Sequence, residues 1–170
     1  KLDGVRKLYV VDDRLWRGAQ PGTEGFRSLA ESGVTAVIDL RPSKNARQVD
    51  RELNALGMES YHLPVTDGRP PSPEQVRQVV DIVGESPGRV FLHCGEGVGR
   101  AGTTSSAYKV TTGEASANEA LRESLAVGVL TAGRLDAVLG GGDRLLHLAP
   151  AKQRQHEIAA RHRHLRRGRE

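Results

Sequence analysis

A single cysteine stands among the 170 residues, so no disulfide can form within the chain, and a lone thiol is kept either as a small buried hydrophobe or for its reactivity. Aromatic side chains are almost as scarce: one Trp, three Tyr and two Phe leave the core to be built from Val, Leu, Ile and Ala. No stretch approaches the roughly 20 apolar residues of a membrane-spanning helix, so no membrane span is expected in this chain. The numbering opens at Lys1 rather than a methionine, which leaves open a leader or anchor removed from the N-terminus. The length fits one domain with a sizeable core, and no internal repeat is present.

Charge is placed unevenly. The chain carries a net +4, yet residues 150–170 hold seven Lys or Arg against Glu157 and Glu170, which leaves residues 1–149 near neutral. The expected division is therefore a main domain over 1–149 and a basic tail over 150–170. Such a tail fits an acidic partner, although a solvated basic helix end has the same composition, and nothing marks specific nucleic-acid recognition.

What the chain does have is the stretch Arg89-Val-Phe-Leu-His-Cys-Gly-Glu-Gly-Val-Gly-Arg-Ala-Gly-Thr103. Val90, Phe91 and Leu92 form a short β-favouring apolar run entered from Pro87-Gly88, and His93 and Cys94 end it. Gly95, Gly97 and Gly99 alternate with Glu96 and Val98, so the backbone can curl tightly and turn its N–H groups inward around an anion. A helix expected from about Ala101 to Thr112 presents its positive end at the same spot. A thiol there, with Arg100 six positions on, is set up as a thiolate nucleophile beside a planar fork of donors for two oxygens of an oxyanion. The arrangement suits phosphoryl transfer to sulfur. The plain alternative, a turn or a nucleotide loop, lacks a terminal Lys-Ser/Thr and the Gly-x-Gly-x-x-Gly spacing.

The run HCGEGVGR resembles the His-Cys-(five residues)-Arg signature of the cysteine-dependent protein tyrosine and dual-specificity phosphatases, and from Leu8 to about Leu139 the chain is similar to their compact bacterial dual-specificity-type members. The resemblance implies a phospho-cysteine intermediate on Cys94, phosphoryl oxygens held by Arg100 and by the loop Gly95, Glu96, Gly97, Val98 and Gly99, and no metal or other cofactor. It also implies that Asp67 is the general acid. The family usually has Ser or Thr after the arginine, and some members carry alanine there and are slow; this chain has Ala101, with hydroxyls only from Thr103 onward. The implied substrate is a phosphorylated protein or a small phosphomonoester. Two other readings of the same loop stay open: an arsenate reductase or sulfurtransferase, against which the absence of a second cysteine counts, and an oxyanion-binding pseudophosphatase.

The rest of the chain predicts an α/β fold, a mainly parallel central sheet flanked by helices. Leu8–Val11 and Leu15–Gly18 read as a hairpin, with Trp16 a core or edge anchor. Thr23 is expected to cap a helix that Gly33 ends. Val34–Leu40 reads as a central strand, Ala46–Leu56 as a helix and Tyr61–Val65 as a strand. Ser72-Pro73-Glu74-Gln75 is a capping box with proline at the first helical position, opening a helix buried through Val76, Val79, Val80 and Val83. Two further helices are expected over Ser116–Val127 and Thr131–Leu139.

Such β-α-β alternation puts the ligand site beyond the carboxyl ends of the strands. The loop 66–71, with Asp67 and Arg69, then falls at the same end as Cys94, Arg69 being placed to hold an anionic substrate. Asp39 is the rival acid, but its position within a strand favours a structural hydrogen bond. His93 reads either as support for the loop or as a core histidine, and Thr103 as support behind the thiolate. Arg41 could reach the substrate rim or serve a structural role.

Overall fold

The computed structural model describes residues 1–42 and 46–126. The expected helix over Thr131–Leu139 and the basic tail over 150–170 lie outside the described residues.

The fold is a β-α alternation with a hairpin in front. Its elements are β1 (Tyr9–Val10), β2 (Leu15–Ala19), α1 (Thr23–Glu31), β3 (Val34–Asp39), α2 (Ala46–Ala55), β4 (Glu59–His62), α3 (Pro73–Glu85), β5 (Arg89–Cys94), α4 (Gly99–Thr112) and α5 (Ala117–Ala126). The strands form one sheet in the order β1-β2-β5-β3-β4. Three of its four pairings are parallel, and only β1 runs antiparallel, against β2. The sheet is α/β and mixed, as a single hairpin added to a parallel core produces.

The middle strand is β5. Val34–Asp39, expected to be central, is an interior strand paired on both sides, between β5 and β4, while the hairpin strand β2 pairs with the far side of β5. Successive side chains of β5 face opposite layers. Val90, Leu92 and Cys94 join Leu15, Ile38, Val79, Val83, Ala101 and Tyr108 beneath α3 and α4. Phe91 faces the other layer, with Phe26, Leu29, Leu53 and Met58 from α1, α2 and the approach to β4. Trp16 packs against the rim of this second core, with the Arg89 guanidinium 5.0 Å from its ring centroid.

Local signals set most element ends. Ser72 Oγ accepts from Gln75 N–H at 3.1 Å while Gln75 Oε1 accepts from Ser72 N–H at 2.8 Å, closing the capping box with Pro73 at the helix start. Ser116 and Glu119 make the equivalent pair before α5. Thr23 is not a cap: Gly22 holds that position without a side-chain bond, and Thr23 is already helical. The strand expected at Tyr61–Val65 starts and ends earlier, at Glu59–His62, because its register is taken from β3, where Ala36 pairs with Glu59. No helix among the described residues is long and apolar enough to cross a membrane.

Candidate active site

The site is assembled where β2, β5 and β3 end together. Ala19 pairs with Cys94, Gly18 with His93, and Asp39 with His93, so all three strands deliver their last residues to one edge. From Cys94 the chain turns through Gly95–Val98 and enters α4 at Gly99, two residues before the expected start, which puts Arg100 in the first helical turn. This start brings the positive end of the helix against the loop.

Cys94 is buried, 3% exposed, and its Sγ accepts the Gly97 N–H at 3.3 Å. A backbone donor therefore already points at the sulfur. Gly97 has φ +73°, and a Cβ on it would lie 2.2 Å from both Ala19 N and Gly18 C, so only glycine fits where the loop rests on the end of β2. Gln20 N–H donates to the Gly95 carbonyl at 3.1 Å and tightens the same seam.

The loop 66–71 brings Asp67 to this site. Its Oδ1 lies 3.7 Å from Arg100 Nε, with the Asp67 side chain 81% exposed and Arg100 only 15% exposed. An exposed carboxyl beside a guanidinium can give a proton to a leaving group and later take one from water. Arg69 is exposed on the same loop, its N–H bonded to the Thr66 carbonyl at 3.1 Å. Thr103 is buried and donates its hydroxyl to the Gly99 carbonyl at 3.0 Å, so it serves the first turn of α4. Ala101 is fully buried beside it.

His93 lies in the opposite layer from Cys94. It is fully buried, stacked on Phe91 at 6.1 Å and edge-on to Phe26 at 6.4 Å, with Nδ1 3.4 Å from the Cys94 carbonyl oxygen. Burial drives its pKa down to about 4, against the pull of Asp39, whose Oδ1 is 3.8 Å away. The imidazole is therefore neutral near pH 7. Asp39 is structural: Arg41 grips both its oxygens, Nε to Oδ1 at 3.0 Å and Nη2 to Oδ2 at 2.8 Å. Burial alone would raise the Asp39 pKa, but the Arg41 bonds and His93 hold it below the usual carboxylate value.

Two contributors escaped the reading of the sequence. Arg17, in β2 and 6% exposed, donates through Nη1 to the Gly97 carbonyl at 2.8 Å and lies 4.5 Å from the Tyr9 ring centroid. Lys7 reaches Glu96 of the loop, Nζ to Oε2 at 3.4 Å.

Comparisons with known proteins give the family and the fold. A family model described as "DSP-PTPase phosphatase fused to NAD+ Kinase" matches residues 8–133. The chain belongs to that family of cysteine-dependent dual-specificity phosphatase domains. The human dual specificity protein phosphatase CDC14A is 35% identical over 83 residues, covering 49% of this chain and 14% of the human protein. Chloroplastic NAD kinase 2 of Arabidopsis thaliana is 29% identical over 107 residues, 59% of this chain and 11% of that protein. The chain thus spans a small part of the curated relatives it matches. Among solved structures, Tk-PTP in its active form superposes with a TM-score of 0.65 at 26% identity, over 81% of this chain and 96% of that one. The family and fold support a phosphoric monoester hydrolase of the dual-specificity phosphatase type.

Proposed function

We propose that this domain dephosphorylates phosphotyrosine in proteins, and phosphoserine or phosphothreonine as well, through a phosphoryl group held on Cys94. The observation that carries the reading is the convergence of three groups at one strand end: Cys94 Sγ facing the Gly97 N–H, Arg100 in the helix turn that follows, and Asp67 3.7 Å from Arg100. In the first step the Cys94 sulfur attacks phosphorus, the bond from phosphorus to the ester oxygen breaks, and Asp67 gives its proton to the departing alkoxide or phenoxide. Arg100 and the loop amides hold the oxygens on which charge gathers. In the second step the Asp67 carboxylate takes a proton from water as its oxygen attacks phosphorus, and the S–P bond breaks to return the Cys94 thiolate and free phosphate. The reduced thiol this requires supports a reducing compartment, the cytoplasm in our reading.

Phosphate release from an aryl phosphate and from matched phosphotyrosyl, phosphoseryl and phosphothreonyl peptides tests the proposal. Turnover should vanish in Cys94→Ser, be blocked by vanadate, and fall by roughly a hundredfold or more in Asp67→Asn with a poor leaving group. Undiminished turnover in Cys94→Ser would overturn it. Tight binding of phosphate or vanadate with no turnover of any ester would support the oxyanion-binding pseudophosphatase instead.

A further inference from the structure

The mechanism leaves unused the segment before the hairpin, yet that segment is built against the catalytic loop. The Arg6 carbonyl accepts the Ala19 N–H at 3.0 Å, next to the Gln20 N–H that holds the Gly95 carbonyl. A Cβ on Gly18 would come within 3.1 Å of the Arg6 carbonyl oxygen, so the approach is close. Lys7 is the only non-glycine among the described residues with a left-handed backbone, at φ +52°. Side chains rarely adopt that conformation, and it persists where surrounding structure requires it. Here it accompanies the reach of the Lys7 ammonium to Glu96 at the loop.

That contact is a poor reason for the strain on stability grounds. Lys7 and Glu96 are 52% and 72% exposed, and exposed pairs contribute little to stability. Its effect on the site is larger in kind. Glu96 is the one acidic residue between Cys94 and Arg100, and unpaired it would repel a phosphoryl dianion.

A cleft of about 830 Å³ opens beside this contact, lined by Lys1, Arg6, Lys7, Leu8 and Gln20, with Asp3 as its one acidic residue. Its lining is mixed: Leu2, Val5 and Leu8 lie among the three cations, which outnumber Asp3.

Resting on the phosphatase reading, we infer that this cleft is a second anion subsite: a substrate whose phosphomonoester sits at Cys94 places a further phosphate or carboxylate against Lys7 and Arg6. The Lys7 ammonium, with three donors, takes the second anion of the substrate while it stays on Glu96. Lys7 is a specificity-determining residue and takes no part in bond breaking.

Two matched substrate pairs distinguish the source of the second anion. One is a phosphotyrosyl peptide with Asp or with Asn beside the phosphotyrosine; the other is a ribonucleoside bisphosphate or its monophosphate. The readings are kcat/KM in the native protein and affinity by calorimetry in Cys94→Ser, which binds without turning over. The doubly anionic member of one pair should be favoured by about fivefold at low salt, and less as salt is raised. Lys7→Ala should bring that ratio close to one, and Lys7→Arg should keep it. A native ratio near one in both pairs, or a ratio that survives Lys7→Ala combined with Arg6→Ala, overturns the subsite. Failure of the phosphatase reading is separate: no phosphomonoester, the aryl phosphate included, would turn over, while the calorimetric ratio would still report on the cleft.

Discussion

A buried cation in mid-strand is costly unless its charge is answered, and Arg17 answers it with the Gly97 carbonyl and the Tyr9 ring. Gly97 is also the residue whose N–H meets Cys94 Sγ, so Arg17 positions the peptide that faces this sulfur. Arg17→Met should lower kcat/KM for an aryl phosphate by roughly tenfold to a hundredfold, the loss of a hydrogen bond from a charged donor worth about 1.5–3 kcal/mol. Arg17→Lys should recover part of it. Steady-state kinetics on proteins matched by circular dichroism are the check, and unchanged kinetics in Arg17→Met would show that Gly97 is held without it. Nothing local reveals this role, because the partner is 80 residues away. The same holds for Lys7 and Glu96, 89 residues apart. Cys94, Arg100 and the loop glycines stand within seven consecutive residues, so a local pattern could propose them.

At the scale of elements the turn after Cys94 and the end of β2 act as one piece. Gly97→Ala should separate them: the left-handed backbone alone costs about 1–3 kcal/mol, and its Cβ would meet β2 backbone that cannot move aside. We expect a lower unfolding midpoint together with lost turnover. Gly95→Ala should keep its midpoint, since a Cβ there approaches nothing nearer than Arg100 Nη2 at 3.9 Å. Equal midpoints for the two variants would mean that the turn is not seated on β2. Elements with local punctuation were readable in advance, such as α3 with its capping box and α1 stopped by Gly33 at φ +83°. The order of the strands and the early end of β4 were not. Both depend on which neighbour pairs with which, and that information is spread across the sheet rather than within any one strand.

For the molecule as a whole, the buried His93 ties the site to acid stability. Its pKa is about 4 in the folded protein against 6.5 for the free side chain, so the unfolded chain binds more protons between those values. Stability should therefore fall as pH drops through that window, by on the order of 3 kcal/mol from this residue. Asp39 acts lower: with its folded pKa depressed below 3.8, its contribution is present above that value and lost as pH falls through the depressed one. Urea unfolding at about pH 7 and about pH 4.5 is the measurement, and His93→Asn should flatten the difference. An unchanged slope in that variant would locate the acid sensitivity elsewhere. The central claim, however, is that the phosphoryl group passes through Cys94. Rapid acid quenching during turnover of an aryl phosphate, followed by mass analysis of the peptide that holds Cys94, tests it most directly. Because Ala101 offers no hydroxyl to the departing thiolate, the intermediate should accumulate: a burst of product, a phosphoryl group on Cys94 at early times, and less of it in Ala101→Ser. Steady turnover with Cys94 unmodified at every time, and persisting in Cys94→Ser, would contradict the account.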